Sequence, residues 1–502
     1  MAALEIDGHH LRLEDVGGVA RGEIAEVRLA PAAQGALQTA RRLIEDRVAR
    51  GERVYGVTTG FGRLAEVVIP ADERAALQRN LIRSHASGVG PALDRPATRA
   101  LMLLRAASLA HGHSGCSPEV VDLLLDCLNA GVHPVVPEYG SVGASGDLVP
   151  LAHVALVLMG EGEAEHGGRV VPAAEALHAA HLAPFALREK DGLSLINGTQ
   201  YCTALGVLAL LAAERALEAL EVAGALTLEG LRGSPVPFDA DIQAVRPHQG
   251  QAVSASRLRA LLEGSQIRES HRHGDVRLQD AYSLRCMPQV HGAARDALAY
   301  ARRVLEVEVN SATDNPLVFP ESGQIKSGGN FHGQIVAQAM DLVAIALADL
   351  GAIAERRIER LLNPDESGLP AFLAPHPGVE SGLMTLQVAA ADLLTELRLL
   401  AAPASVHSVP TGAGREDHVS MGPAAARKAR RAAECLEHVI AVELMCAAEA
   451  VDRLRPLRTS PALERAHAAV RGVVPPLTAD RALAADLTRI GELVRLGTFR
   501  AP

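Results

Sequence analysis

Three small residues, Ala144-Ser145-Gly146, sit inside the run Tyr139-Gly140-Ser141-Val142-Gly143-Ala144-Ser145-Gly146-Asp147-Leu148-Val149-Pro150-Leu151-Ala152-His153. Glycine and alanine recur through its first half, so the backbone can fold back on itself where bulkier side chains would block it. If a scaffold compresses the tripeptide, the Gly146 amide nitrogen can attack the Ala144 carbonyl and close a five-membered ring with loss of water. A second dehydration would turn the Ser145 side chain into an exocyclic methylidene, an electrophile made wholly from main chain. The competing reading is a glycine-rich loop that ends at a helix, with Asp147 near its first turn. A serine-hydrolase reading of Ser145 with His153 and Asp147 fails. Gly143-Ala144-Ser145-Gly146 lacks the G-x-S-x-G elbow, and residues so close in sequence rarely form a triad.

Other polar, glycine-broken clusters recur along the chain. Tyr55-Gly56-Val57-Thr58-Thr59-Gly60-Phe61-Gly62 excludes a regular helix and implies a loop of close approach. Gly60-Phe61-Gly62-Arg63-Leu64-Ala65 formally fits a dinucleotide fingerprint, but no βαβ pattern surrounds it and no acidic residue follows at the expected distance, so a nucleotide cofactor is not expected. Ser84-His85 ends a helical stretch broken by Gly88 and Gly90. His111 and His113 have no third ligand at metal spacing, which argues for a loop pair and against a metal site. Asn197-Gly198 on its own is a turn signal. Arg285, in Gln279-Asp280-Ala281-Tyr282-Ser283-Leu284-Arg285, is a natural carboxylate clamp, since guanidinium presents paired donors to a planar anion, although a lone surface ion pair reads the same way. Phe331 lies in Ser327-Gly328-Gly329-Asn330-Phe331-His332-Gly333, and Glu416 in Glu416-Asp417-His418-Val419-Ser420-Met421.

The elements that must hold these residues are mainly helical. Helices are expected over Ala32–Arg50, two around the His111–Gly115 turn, Leu148–Met159, Phe331–Leu362, Gly382–Ala401 and Pro423–Arg453, with a loop or hairpin over Glu161–Ala183. The Phe331–Leu362 stretch steps its apolar residues Ile335, Ala339, Leu342, Ala346, Leu350 and Ile353 by threes and fours. At about 1.5 Å per residue it makes a rod of roughly 45 Å. Character changes after Tyr201, where Ala/Leu-rich segments run long. The expected division is therefore residues 1–205, mixed and loop-rich, and residues 206–502, a long-helix bundle of parallel and antiparallel helices.

Composition supports this. With 502 residues, 48% of them hydrophobic, the chain can bury a large core, and with 2% aromatics and no tryptophan that core must be mostly Ala, Leu and Val, which suits closely spaced helices. A formal charge of −10 argues against a nucleic-acid partner. The six scattered cysteines form no C-x-x-C pair, and the N-terminus lacks a basic stretch followed by an apolar run, so a cytoplasmic protein is expected. No uninterrupted apolar run approaches the length of a membrane span.

Taken together, these motifs resemble the histidine/phenylalanine/tyrosine ammonia-lyase family over nearly the whole chain. The resemblance implies a mainly α fold. It implies a 4-methylidene-imidazol-5-one (MIO) group formed from Ala144-Ser145-Gly146, with no metal or nucleotide, and a homotetramer whose active sites are shared between subunits. It implies Tyr55 as catalytic base, Arg285 on the substrate carboxylate, Asn197, Gln279 and Tyr282 aligning substrate and ring, and Phe331 packing beside the ring. Ser84-His85 resembles the histidine-specific members, as does Glu416 where phenylalanine and tyrosine lyases carry glutamine. A carboxylate can accept an imidazole N–H, whereas a phenyl ring would leave it desolvated and unpaired. The implied activity is the elimination of ammonia from L-histidine to give trans-urocanate, a step of histidine degradation, with His85 and Glu416 reading the imidazole. Arg415 and His407 depart from the family pattern, which leaves a lyase or aminomutase for another amino acid as an alternative, beside a non-catalytic helical scaffold.

Overall fold

A computed structural model describes residues 3–273, 275 and 277–501. The chain forms two compact units, neither contiguous in sequence. One comprises 1–208, 302–340 and 403–427, and the other 209–301, 341–402 and 428–502. The expected boundary near residue 205 therefore falls inside a helix, Gln200–Gly230, and the chain re-enters the first unit twice more. A hydrophobic count along the sequence sees where long helices begin but not where the chain returns.

The first unit is built around the helix Arg95–Ala110. Asp94 caps it by accepting from the Ala97 N–H at 3.0 Å, as an N-cap carboxylate does for an otherwise orphaned amide. Every residue from Ala97 to Ala110 is buried, so this helix has no solvent face and packs between Leu13–Arg21 and Pro118–Asn129. Strands are short and peripheral. Leu4–Ile6 pairs in parallel with Val27–Leu29, Val89–Ala92 lies antiparallel to Pro137–Tyr139, and Leu317–Phe319 forms a hairpin with Gln324–Lys326. The hairpin expected in 161–183 forms from Glu163–His166 and Arg169–Pro172, and the helix Ala173–Ala179 follows.

Three helix ends position the candidate chemistry within this unit. Arg74–His85 packs against Leu148–Leu158 and Asp191–Ile196. Gln78, fully buried, ties the first of these to its neighbours: its amide donates to the Gly56 carbonyl at 3.1 Å, and its Oε1 accepts from the Leu193 N–H at 3.2 Å. The Tyr55 loop and the residues leading to Asn197 are thereby fixed to one side chain.

The second unit contains most of the length of the long helices Gln200–Gly230, Met287–Glu308, Gln334–Leu362 and Gly422–Asp452, together with Gln249–Leu262, Met384–Leu400, Pro461–Val473 and Ala484–Arg495. Its interior holds a fully buried ion pair. Arg357 donates to both oxygens of Glu443, at 2.5 and 2.9 Å, and Thr227 Oγ1 donates to the same carboxylate at 3.0 Å. Such a pair is tolerated inside a bundle only because bidentate geometry and the added hydroxyl satisfy the desolvated charges. The helix expected from Phe331 begins at Gln334, because the segment before it is a turn in which the His332 N–H donates to the Gly329 carbonyl at 2.9 Å, and the first helical bond runs from the Ala337 N–H to the Gly333 carbonyl. Gln334–Leu362 is also long and apolar enough to cross a bilayer, but 67% of its apolar window is buried in the protein, as in a core helix.

Candidate active site

A cavity of about 1170 Å³ in the first unit is lined by Tyr55, His85, Ala144, Ser145, Asn197, Phe331 and Glu416, among others. Residues separated by several hundred positions in sequence are thus brought to one space. Gly146 lies immediately beneath, buried. Gln279, Tyr282 and Arg285 are not on its wall and belong to the second unit. There Gln279 is exposed, Tyr282 is 70% exposed, and the Arg285 guanidinium stacks over the Tyr282 ring at 4.5 Å.

The loop carrying Ala144-Ser145-Gly146 is held in a conformation that most sequences could not adopt. Gly143, Ser145 and Gly146 have φ of +80°, +52° and +80°, and only at Ser145 does a side chain bear the strain of the left-handed region. The Gly146 backbone runs against that of Gly198. A Cβ at Gly146 would stand 2.3 Å from the Gly198 oxygen, and the neighbouring Asp147 N–H donates to that oxygen at 2.6 Å. On the far side, the Met421 N–H donates to the Val142 carbonyl at 2.9 Å. The Gly146 N–H itself finds no acceptor among the described residues. A compressed turn with a free amide nitrogen at its end is what ring closure onto the Ala144 carbonyl requires, so the residues present fit a main-chain-derived electrophile.

The segment beneath the turn is set by buried polar groups. Arg105, fully buried, donates to the Asn197 carbonyl at 2.9 Å and to Gln200 Oε1 at 2.8 Å. Burial pulls this guanidinium below its usual range, with the Asp314 charge opposing. The Asn197 side-chain amide donates to the Asn315 carbonyl at 2.8 Å, while its Oδ1 is buried without a partner, an unmet acceptor beside the cavity. Asp147 accepts from the Cys202 N–H at 2.9 Å through Oδ2, and its Oδ1 is orphaned. Burial pushes its carboxyl up to about 6.

On the cavity wall, the Gly62 N–H donates to the Tyr55 hydroxyl oxygen at 3.0 Å. The Tyr55 proton is therefore free to point elsewhere. His85 Nδ1 lies 2.9 Å from the Leu81 carbonyl, which can only accept, so the proton is assigned to Nδ1 and Nε2 keeps its lone pair. Glu416 follows a tight turn in which the Thr411 N–H donates to the Glu416 carbonyl at 2.9 Å. Thr411 Oγ1 donates to Oε2 at 2.6 Å, leaving Oε1 for a ligand. Arg415 is exposed on the same wall and has no recorded bond to Glu416.

Some wall residues carry no sequence assignment. His332 and His418 stack with rings 6.0 Å apart and 4° between planes. Their signal was adjacency, since each sits one or two positions from an assigned residue in a polar cluster. Arg105 and Asp147 gave none, because an arginine in an Ala/Leu-rich helix reads as a surface residue and an aspartate after a glycine reads as a cap. His111, whose ring meets His9 at 4.3 Å, is pulled down to about 4 mainly by burial. Among the described residues no group of three or more His, Cys, Asp or Glu side chains could hold a metal ion.

The aromatic amino acid lyase family model matches residues 11–472. The chain is 54% identical over 505 residues to the histidine ammonia-lyase of Anaeromyxobacter sp. (strain K), covering 99% of each protein. It is 53% identical to that of Stigmatella aurantiaca, over 98% of this chain and 96% of the other. Among solved structures it superposes on the histidine ammonia-lyase from Trypanosoma cruzi with a TM-score of 0.93 and 40% identity, covering 99% of this chain and 94% of that one. It superposes on the tyrosine aminomutase from Streptomyces globisporus with a TM-score of 0.94 and 40% identity, covering 99% and 98%. A compressed Ala-Ser-Gly turn, a tyrosine, a histidine and a glutamate facing one cavity, and likeness along the whole length to these enzymes lead to one conclusion: the chain belongs to the aromatic amino acid lyase family.

Proposed function

We propose that the protein is a carbon–nitrogen lyase that eliminates ammonia from L-histidine to give trans-urocanate. The observation that carries this reading is the meeting of His85 and Glu416 with Tyr55 around Ala144-Ser145 in one cavity. Full-length likeness to proteins named histidine ammonia-lyase supports it. His85 Nε2 and Glu416 Oε1 are both acceptors, suited to the N–H groups of an imidazolium and left unpaired by a phenyl or phenol ring. That mismatch is the kind that discriminates strongly, since a buried polar group without its partner is expensive.

Cyclisation of Ala144-Ser145-Gly146 with loss of two waters supplies a methylidene-imidazolone, an electrophile that draws electrons from the substrate amine and eases its departure. Ser145 is the residue whose side chain that chemistry consumes. The Phe331 ring would pack beside the group, and the unpartnered Asn197 Oδ1 would accept from the substrate ammonium. Tyr55 takes the β-proton, its hydroxyl oxygen fixed by the Gly62 N–H.

The carboxylate clamp is assigned to Arg285, with Gln279 and Tyr282 beside it. The exposure of Tyr282 and of Leu278, at 98%, supports their meeting a cavity in another copy of the chain, in a homotetramer. The six cysteines, all free, support a reduced cytoplasmic setting.

Incubation with histidine, tyrosine and phenylalanine, with product identification by mass, tests the reading. Urocanate from histidine is expected, together with a two-water mass deficit on the peptide containing Ser145, and neither is expected in Ser145→Ala. Full histidine turnover by Ser145→Ala, or a β-amino acid as the main product, overturns it.

A further inference from the structure

A second cavity, of about 450 Å³, lies in the first unit and shares Gly329 and His332 with the larger one. Its wall is rich in acceptors: Glu308, His113, Ser311, Thr313 and Asn330 face it. Glu308 is the last residue of the helix Met287–Glu308, where the partial negative charge of the helix end already disfavours an anion. Its carboxylate accepts from Thr199 Oγ1, and burial raises its carboxyl above the ordinary range. Among the described residues no lysine or arginine pairs with it. A largely buried carboxylate that faces a cavity without a lysine or arginine lowers its cost by keeping a proton or by receiving a cation from the cavity, and a cation in the cavity would favour the charged form.

The neighbours are oriented for the same guest. His113 Nδ1 stands 2.8 Å from the Val318 carbonyl, which places the proton on Nδ1 and leaves Nε2 as an acceptor. His332 Nε2 lies 3.2 Å from the His418 carbonyl, so its Nδ1 is likewise a lone pair. Thr313 Oγ1 accepts from Gln200 Nε2 at 2.7 Å and from the Thr199 N–H at 3.4 Å, so the acceptors left for the guest are the Glu308 carboxylate and the two histidine nitrogens. Through Thr199, Glu308 is bonded to the residue that follows Gly198, whose backbone abuts the Ala144-Ser145-Gly146 turn.

We propose that this second cavity receives the ammonium product, with Glu308 as its counter-ion. The inference rests on the deamination reading above. That reaction leaves two products of opposite character, a flat anionic acrylate and a small cation with four N–H donors. A compartment of acceptors around one unpaired carboxylate takes the cation and repels the acrylate, so the two need not leave by one mouth.

The test compares wild type with Glu308→Gln, which keeps an acceptor for Thr199 but removes the charge, and Ala312→Leu, which fills the cavity from a wall residue of its own. Inhibition of histidine turnover is measured with ammonium chloride, with potassium chloride at equal ionic strength, and with urocanate. Relaxation of isotope-labelled ammonium in NMR reads binding to the resting protein independently of turnover. Ammonium inhibition and the relaxation effect are expected to weaken by about fivefold or more in both variants, as for loss of a charge-assisted contact, with urocanate inhibition changed by less than about twofold. Ammonium inhibition and relaxation unchanged in both variants, or potassium acting as strongly as ammonium in wild type, overturns the assignment. Wild type that binds ammonium in this way but yields no urocanate would sink the deamination reading instead and leave the cation site standing.

Discussion

Gly143→Ala isolates the compression of the Ala144-Ser145-Gly146 turn from the chemistry of its own atoms. Gly143 has φ +80°, and a Cβ there would stand 2.1 Å from Ser420 Oγ and 3.4 Å from Ser420 Cβ. The left-handed backbone costs an alanine about 1–2 kcal/mol, and forcing a methyl into the contact adds about 1–3 kcal/mol. Ser420 is buried and its hydroxyl accepts from the Gly422 N–H at 3.2 Å, so it cannot rotate away freely. The sum, about 2–5 kcal/mol, lowers the population of the compressed turn by at least tenfold, since about 1.4 kcal/mol is a factor of ten. Ser420→Ala removes the clashing oxygen and leaves an ordinary contact, at the loss of one hydrogen bond worth about 0.5–1.5 kcal/mol. Intact mass and histidine turnover should therefore show little two-water loss in Gly143→Ala and a partial return in Gly143→Ala/Ser420→Ala, with coupling of about 1–3 kcal/mol. Complete two-water loss in the single variant, or no recovery in the double, would refute the account of strain at this turn.

Glu416→Gln should lower kcat/KM for histidine by about tenfold to a hundredfold, as expected for removal of a charged hydrogen bond of about 1.5–3 kcal/mol. Arg415→Gln, which touches no bond to Glu416, should change it by less than about threefold; the reverse order in steady-state kinetics would reassign the two. Asp147 is pushed up to about 6 from 3.8, so the folded protein binds its proton more tightly than the unfolded chain, and its ionisation destabilises the fold as pH rises from about 4 to about 6. Urea melts across that window should show a smaller fall in stability with pH for Asp147→Asn than for wild type, and equal slopes would contradict the burial argument. Co-expression of Ser145→Ala with Arg285→Met tests the sharing of sites: if Ser145 and Arg285 of a site come from different chains, random assembly restores about a quarter of wild-type sites. No recovery above the two parents would place both residues of a site on one chain.

Much of the fold is legible in the chain because its signals are local and strong. Periodic apolar steps set Gln334–Leu362 and Gly422–Asp452, and proline with a polar cap sets the start of Arg95–Ala110. Ends are harder, as at Phe331, where an aromatic in an apolar pattern lies outside the helix because the turn between Gly329 and His332 encloses it. The returns of the chain to the first unit at 302–340 and 403–427 have no local signal, since nothing in a helix marks the point at which its neighbours change.

The candidate site divides in the same way. Residues that break an Ala/Leu-rich chain with glycine and polar side chains, around Tyr55, His85, Ser145, Asn197, Phe331 and Glu416, announced themselves and do meet in one cavity. The groups that hold them could not, because Arg105, Gln78 and Asp147 act through burial, and burial is a property of the finished packing. Arg105 costs desolvation energy, which the Asp314 charge opposes and which the Asn197 carbonyl, Gln200 Oε1 and Ser108 Oγ it engages help to offset. The backbone oxygen it fixes adjoins Gly198, the same glycine that crowds Gly146. The strained turn is thus braced by a charge kept out of water, so the ability of Ala144-Ser145-Gly146 to condense depends as much on a helix forty residues upstream as on the tripeptide itself.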